Sequence, residues 1–205
     1  MLILEPANTP RFVGRPLIMS PPQPSRRRSL SELETGAVHP KVVAALREAS
    51  RRLSSLGIRH ATIGALAVGV HGWPRATGDV DLLLAPEAWL AHADGSQTPR
   101  VELVESIEGV GIDYLPIDVA GEFLLAAFDR ALVSEGVPVA PVEVVIVTKL
   151  IRLAMRDQAD IVELVKSGLV DEPAVCRYLD EHAPMLTSRF RALAEQAARE
   201  RERER

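Results

Sequence analysis

The stretch Ile58–Leu84 is the feature that most constrains the fold of this 205-residue chain. A short apolar run ends there at Gly64, and Leu66, Ala67 and Val70 then recur at helical spacing. This pattern predicts a strand, a tight turn and a helix. A glycine at such a turn allows backbone and a ligand to approach closely, although a plain turn glycine is the alternative interpretation.

Two aspartates open the next apolar run. Asp79 and Asp81 follow a proline-containing loop and begin the segment DVDLLL. Alternate residues of a strand share a face, so both carboxylates point the same way. Like charges this close repel unless a cation lies between them or one is protonated. The pattern therefore predicts a Mg²⁺ site, because this hard ion is usually held by one or two carboxylates plus substrate phosphates.

A third carboxylate is expected from a neighbouring strand. Asp113, in the run VGIDYL, is the candidate, and Asp118 is its rival. In this interpretation Asp113 positions the metal nearest the attacking hydroxyl and accepts its proton. The alternative for Asp113 is an ordinary edge-strand aspartate. Asp79 and Asp81 could likewise be a capping residue and a solvent-facing strand residue.

Polar and basic side chains surround this candidate site in the sequence. Arg75 and Thr77 lie just upstream of the aspartates, where Thr77 could bond a phosphate or merely cap the turn. Lys149, Arg152 and Arg156 are spaced three and four residues apart, which predicts one basic stripe on a helix that is able to reach a triphosphate. A solvated face, or ion pairs with the acidic residues that follow (Asp157 and Asp160), is the alternative.

These pieces resemble a known superfamily. Gly64-Ala65, a spacer, Asp79-Val-Asp81 on a strand and a later strand carboxylate resemble the nucleotidyltransferases of polymerase-beta type. More closely, RATGDVDLLL followed by TKLIRLAMRDQADIVEL resembles the bacterial AbiEii-type nucleotidyltransferases, which include toxin components of toxin-antitoxin systems. The resemblance covers residues 42–170.

The resemblance implies a fold and a reaction. The fold is an α/β (α+β) nucleotidyltransferase fold, with a small mixed, mostly antiparallel sheet flanked by helices and a helical C-terminal part. The reaction moves a nucleoside monophosphate from an NTP to a hydroxyl of a tRNA, a protein or a small molecule. Mg²⁺ held by Asp79, Asp81 and Asp113 would serve it, and an antitoxin is the possible protein partner.

The resemblance also assigns individual residues. In the family, a lysine at the Lys149 position and an aspartate at the Asp160 position belong to active-site motifs. The family has Gly or Ser where this chain has Ala65, which keeps the backbone amide but supplies no hydroxyl. The alternative function is therefore a catalytically silent nucleotide-binding or protein-interaction module with the same fold. The predicted nucleotide-binding residues are Gly64, Ala65, Arg75, Thr77, Lys149, Arg152 and Asp160.

Composition narrows the class of protein. The chain is 47% hydrophobic and 25% charged, with a formal net charge of -4, which suits one globular domain or a domain plus a helical appendage. A mildly acidic chain is not built for broad, non-specific nucleic-acid binding, so an RNA acceptor would need a local basic patch. The single cysteine, Cys176, excludes an intrachain disulfide. No apolar run has the length of a membrane span, and the first residues lack the order of a signal peptide, so the cytoplasm is predicted.

Three regions are expected. Residues 1–28 are rich in Pro and Arg and predict a disordered tail, with Met19 as an alternative start. Residues 29–140 form the α/β core, and residues 141–205 form the helical part that completes the cleft. The predicted helices are one capped by Ser29 or Ser31, Pro40–Gly57, Leu66–His71, Pro86–Leu90, Gly121–Leu132, Pro141–Met155, Asp157–Lys166, Asp171–Leu179 and one from Met185. The predicted strands are Ile58–Ile63, Asp79–Leu84, the hairpin of Val101–Ser106 with Gly111–Leu115, and Pro138–Val139, with a surface loop at Asp94–Pro99.

Overall fold

The computed structural model describes residues 26–92, 94, 96–117 and 122–204. The predicted tail through Ser25, the choice between Met1 and Met19 as the start, and the rival carboxylate Asp118 lie outside these residues. The first described residues contact the folded domain, since the Arg28 N–H donates to the carbonyl oxygen of Val70 at 2.9 Å. Within the described ranges, the helices are too short or too polar to cross a membrane.

The described elements alternate between helices and strands through the first two thirds of the chain and are helical thereafter. The helices are α1 (Leu30–Glu34), α2 (Pro40–Ser55), α3 (Gly64–Val70), α4 (Ala126–Asp129), α5 (Val142–Arg152), α6 (Met155–Lys166), α7 (Glu172–His182) and α8 (Pro184–Arg203). The strands are β1 (His60–Thr62), β2 (Asp79–Leu84), β3 (Trp89–Ala91), β4 (Gln97–Pro99), β5 (Ser106–Ile107), β6 (Val110–Pro116), β7 (Leu132–Ser134) and β8 (Val137–Val139). Single turns of 3-10 helix occur at Pro86–Ala88 and Glu122–Leu125.

Six of these strands form one mixed sheet in the order β5-β6-β2-β1-β8-β7. Strand β1 pairs antiparallel with β2 and parallel with β8, and β2 pairs parallel with β6. The edge strands β5 and β7 pair antiparallel with β6 and β8. Antiparallel pairs therefore outnumber parallel ones, and the predicted α/β class with a mixed sheet and a helical C-terminal part is confirmed.

The parallel pairing of β2 with β6 fixes the geometry that matters most. The ladder runs from Asp79 opposite Gly111 to Leu84 opposite Pro116, and it places Asp81 directly opposite Asp113. Residues that face each other across a ladder lie on the same side of the sheet, as do alternate residues of one strand. The sheet backbone thus brings all three predicted carboxylates to one face, and the predicted strand position of Asp113 is confirmed.

The opposite face of the sheet is covered by α2. Pro40 occupies its first turn and the His39 ring nitrogen accepts from the backbone of the first turn, which are common start signals for a helix. The side chain of His60 in β1 meets Ser50 of α2 at 2.7 Å, and His60 pairs with Leu84. The face that carries Leu84 therefore packs on α2 and is buried, which leaves the aspartate face of β2 for α5.

Several sequence predictions of secondary structure are wrong. The first strand of the predicted hairpin, Val101–Ser106, is not formed, because residues 101–105 are irregular and the strand that pairs with β6 is Ser106–Ile107. The helix predicted from Pro86 ends at Ala88, and the next residues form β3, which pairs with Gln97–Pro99 in what was expected to be a loop. An exposed two-stranded ribbon needs no apolar run, so its polar strand gives no periodic signal. The predicted helix to Leu132 ends at Asp129, because the chain there leaves to pair with β8.

Two buried histidines give the fold a pH dependence. His60 contacts Ser50 and the carbonyl oxygen of Ile58, and His71 Nε2 lies 2.8 Å from the carbonyl oxygen of Ala140. Burial is the main reason that the pKa of each imidazole is lowered. The unfolded chain therefore binds more protons below its ordinary histidine pKa of about 6.5, so the stability that these groups contribute is complete above that pH and is lost as pH falls.

We expect the free energy of unfolding to fall by roughly 1–2 kcal/mol between pH 7.5 and pH 5.5. Urea denaturation at both pH values measures this change. His71→Gln should reduce the difference between the two pH values, whereas His92→Gln, at an exposed position, should leave it as in the wild type. If His71→Gln shows the same difference between the two pH values as the wild type, the role assigned to this buried imidazole is wrong.

Candidate active site

A cavity of about 370 Å³ lies between the aspartate face of β2 and β6 and the junction of α5 with α6. Every predicted site residue except Asp160 lines it. The charged and polar part of its wall consists of Arg75, Thr77, Asp79, Asp81, Asp113, Lys149, Arg152, Arg156 and Asp157, beside Gly64 and Ala65 at the start of α3. Residues that are far apart in sequence thus form one cleft.

Asp79, Asp81 and Asp113, here called the acidic triad, form one wall of the cleft. Burial raises the pKa of Asp81, and the neighbouring charges of Asp79 and Asp113 raise it further, against a smaller opposite effect of Arg152. Thr77 Oγ1 donates to Asp79 Oδ1 at 2.5 Å, which holds that carboxylate at the mouth of the cleft. The acidic triad is therefore a place of unfavourable negative charge that a cation would relieve.

Gly64 brings the start of α3 against this wall. It has φ of +63°, and a Cβ built on it would lie 1.8 Å from Asp81 Oδ2. The neighbouring Ile63 N–H donates to the backbone oxygen of Asp81 at 3.0 Å, which fixes the approach. A glycine is needed here for two reasons, the left-handed backbone and the space that the carboxylate occupies.

Gly64→Ala should therefore lower the free energy of unfolding by about 2–4 kcal/mol, the scale of a steric clash added to an unfavourable backbone. Gly57→Ala is the matched control, because Gly57 has a similar φ of +70° but open space at its Cβ position. We expect the control to lose only about 1–2 kcal/mol, the cost of the backbone conformation. Thermal unfolding of both variants measures the difference, and equal losses would show that Asp81 does not crowd Gly64.

An alternating chain of ion pairs, here called the buried ladder, forms the opposite wall and reaches behind it to Asp160. Its members are Arg75, Asp160, Lys149, Asp157 and Arg152. Arg75 donates from Nε and Nη2 to the two oxygens of Asp160 at 2.7 and 2.9 Å. Lys149 Nζ donates to Asp160 at 2.5 Å and to Asp157 at 3.1 Å. Arg152 donates from Nε and Nη2 to Asp157 at 2.8 and 3.2 Å. Three cations and two anions leave this wall one charge positive.

The buried ladder is held in a fixed geometry because its centre is shielded from water. Lys149, Asp157 and Asp160 are between 1% and 4% exposed. Burial opposes ionisation of Asp157, but hydrogen bonds from Arg152 and Lys149 outweigh it and hold its pKa below the usual range. Hydrogen bonds to the two aspartates similarly raise the pKa of Arg75 and Arg152. The cleft is therefore lined by cations whose positions are set by buried carboxylates.

The structure corrects the predicted basic stripe. Helix α5 ends at Arg152, and Leu153 adopts a left-handed conformation with φ of 47°, so Arg156 lies on α6 and not on the same helix. All three basic residues still line the cleft. Lys149 and Arg152 form the ion pairs with Asp157 and Asp160 that the alternative interpretation named.

Two aspartates have positions that spacing does not reveal. Asp160 is buried behind the wall and reaches the cleft only through Arg75 and Lys149, so a direct contact with a nucleotide is not what its position favours. Asp157 was not among the predicted site residues, yet it lines the cleft and anchors both Lys149 and Arg152. Its signal in the sequence is an acidic residue in the first turn of α6, where it also accepts from the Ala154 N–H.

The acidic triad supplies a donor set that suits a hard cation. Among the described residues, no three His, Cys, Asp or Glu side chains are gathered closely enough to hold a metal ion as they stand. Mg²⁺ does not require such a cage, since one or two carboxylates plus substrate phosphates are its usual ligands. Asp81 and Asp113 on adjacent strands, with Asp79 on the same face, fit that requirement.

Comparisons with known proteins do not show a family for this chain. No protein-family model matches the chain, and no curated protein matches it significantly. Among solved structures, the chain is similar to an antigenic nucleotidyltransferase-like protein from Paracoccidioides brasiliensis. The sequence identity is 17%, the TM-score is 0.39, and the match covers 82% of this chain and 95% of that one. A likeness at this TM-score carries no argument about the function of this chain.

Proposed function

We propose that this protein is a Mg²⁺-dependent nucleotidyltransferase that moves a nucleoside monophosphate from an NTP to a hydroxyl acceptor and releases pyrophosphate. One observation carries the proposal: an acidic triad fixed by the β2–β6 ladder shares a cavity with a wall of cations fixed by buried aspartates. A triphosphate is polyanionic and binds metal, and it needs both kinds of wall at once.

The residues have distinct roles in the proposed reaction. The acceptor hydroxyl oxygen bonds to the α-phosphorus while the bond from that phosphorus to the bridging oxygen breaks, and the hydroxyl proton passes to Asp113. Lys149, Arg152 and Arg75 hold the β- and γ-phosphates and offset the charge of the departing pyrophosphate. The acidic triad would hold Mg²⁺, which would supply positive charge to offset the negative charge that develops on the phosphates.

A second candidate function is a catalytically silent nucleotide-binding module. The observation that favours it is Ala65, which lines the cleft with a methyl group and cannot donate a hydroxyl proton to a phosphate. Its backbone amide is unaffected by that substitution, so nucleotide binding survives in this alternative while transfer is slow.

The finer assignments are part of the same proposal. The AbiEii-like motifs support a role as the toxin component of a toxin-antitoxin pair that acts in the cytoplasm and is bound by an antitoxin. A tRNA end or a protein side chain is the proposed acceptor, since Arg75, Lys149, Arg152 and Arg156 give the cleft a local basic patch on an otherwise acidic chain.

The direct test is incorporation of radiolabelled nucleotides into total RNA and total protein, with Mg²⁺ and with EDTA. Each of the four NTPs is offered to the wild type, Asp79→Ala and Asp81→Ala. Label that requires Mg²⁺ and is absent with both variants supports the transferase and identifies the acceptor class. Calorimetry with each NTP measures binding by the same proteins. Mg²⁺-dependent NTP binding without transfer would favour the silent module. If the protein neither transfers nor binds an NTP, the proposed nucleotide chemistry is refuted.

A further inference from the structure

The wall of the cleft changes from charged to aliphatic along the two parallel strands. Two residues beyond Asp81 and Asp113, on the same face, the sheet carries Leu83 and Leu115, which lie opposite each other in the ladder. Pro116, Leu124 and Ile151 line the same cavity. This aliphatic end therefore continues the site that holds the acidic triad.

Two of these aliphatic side chains are left open to solvent. Leu115 is 37% exposed and Ile151 is 43% exposed, whereas Leu83 and Leu124 are at most 2% exposed. Apolar side chains exposed inside a polar cleft are typical of a ligand-binding surface. Because Leu115 and Ile151 share a cavity with the charged wall, a single ligand with one charged and one apolar end accounts for both.

The orientation of such a ligand in the cavity follows from where the charged and the aliphatic residues lie. Arg75, Thr77 and Asp157 occupy the charged part of the cavity, where an apolar ring would be placed against ions at a cost. Two residues of strand separate the triad from the aliphatic end, a rise of about 7 Å, which leaves room for a sugar between phosphates and base. A nucleotide with its phosphates at the triad thus points its base toward Leu115 and Ile151.

The described side chains around Leu115 and Ile151 offer the base little to hydrogen-bond. Thr148 lines the cavity one turn before Ile151 on α5, and its hydroxyl already donates to the Val145 carbonyl at 2.8 Å. Strong discrimination between substrates comes from polar groups that would be left unpaired by the wrong one. A wall of Leu, Ile and Pro side chains can instead distinguish bases only by size and apolar area.

We infer that, if the proposed function holds, the nucleobase binds at the aliphatic end against Leu115 and Ile151 and that apolar contact with these side chains selects it. The protein then accepts ATP and GTP about equally and prefers both to CTP and UTP, since a purine covers more of the two exposed side chains than a pyrimidine does.

Calorimetry in the presence of Mg²⁺ tests this inference, with the four NTPs and inorganic tripolyphosphate as probes. Wild-type affinities for ATP and GTP should agree within about threefold and exceed those for CTP and UTP by about tenfold. Leu115→Ala and Ile151→Ala should each weaken ATP and GTP by about tenfold and leave tripolyphosphate unchanged. Val133→Ala is the control, because Val133 is a 74% exposed aliphatic residue on the distant strand β7.

The outcomes separate the inference from the function beneath it. If neither tripolyphosphate nor any NTP binds, the proposed function fails. If both bind but Leu115→Ala and Ile151→Ala leave NTP affinity unchanged, the aliphatic end serves another group and the inference is overturned. A preference between ATP and GTP above about thirtyfold would overturn it as well, because the two purines offer nearly the same apolar area and differ in their hydrogen-bonding groups.

Discussion

Asp81→Asn should lower the rate of the proposed nucleotidyl transfer by about a thousandfold or more while raising the melting temperature of the metal-free protein. The loss of rate is expected because a neutral amide is a far poorer ligand for Mg²⁺, and charge stabilisation by the metal is worth several kcal/mol. The gain in stability is expected because the ionised Asp81 is buried beside Asp79 and Asp113, which raises its pKa. A raised pKa means that stability is lost as pH rises through it, so at neutral pH the ionised group opposes folding.

The expected gain in the free energy of unfolding of metal-free Asp81→Asn is on the order of 1 kcal/mol. This corresponds to about 2–4 °C in melting temperature for a chain of this length. Mg²⁺ should stabilise the wild type and have little effect on Asp81→Asn. Asp129→Asn is the matched control, since its side chain is 71% exposed and distant from the cleft, and we expect it to leave both rate and stability unchanged. A metal-free Asp81→Asn that melts below the wild type would contradict the account of repulsion within the acidic triad.

Asp157→Asn should be strongly destabilising. The substitution preserves the shape of the side chain but removes one of the two carboxylates that neutralise Lys149. Lys149 is only 4% exposed and would then be paired with Asp160 alone. Breaking a buried ion pair by removing one partner typically costs 3–5 kcal/mol, so we expect a loss of about 3 kcal/mol and about 10 °C in melting temperature. Urea denaturation and thermal unfolding measure the loss.

Two further variants test whether buried charge is the cause. Arg152→Gln breaks the other ion pair of Asp157, but its side chain is 66% exposed, so the loss should be below about 1 kcal/mol. Asp157→Asn combined with Lys149→Met removes both charges and should recover part of the stability that Asp157→Asn loses. If Asp157→Asn alone is as stable as the wild type, the buried ladder does not contribute to folding as described.

Local patterns in the sequence were sufficient for several elements. Strand β2 has the predicted bounds, because a glycine precedes Asp79 and the apolar run ends at Ala85. Helix α2 begins at the predicted Pro40, because proline is favoured in the first turn of a helix. These features depend on residues within a few positions of each other, which is the range that periodicity and capping signals cover.

The parts that escaped prediction depend on partners distant in sequence. Whether Asp113 would lie opposite Asp81 depends on the register of a parallel pair, which no local pattern encodes. The partners of Lys149 depend on how sharply the chain turns at Leu153, a left-handed residue that is not a glycine. The acidic and basic site residues could thus be identified by type and spacing, but the pairing of Arg75 with Asp160 required the folded chain.

The β3–β4 hairpin gives the chain a place where length can change without harm to the site. It is part of the connection between β2 and β6, and its two strands pair with each other outside the six-stranded sheet. Residues gained or lost at its turn leave the ladder between β2 and β6 in register, whereas a shift of one residue within β6 would turn Asp113 to the far side of the sheet. Related chains can therefore diverge at this hairpin, through insertion of a binding loop or even a small domain, while they keep the same chemistry beneath it.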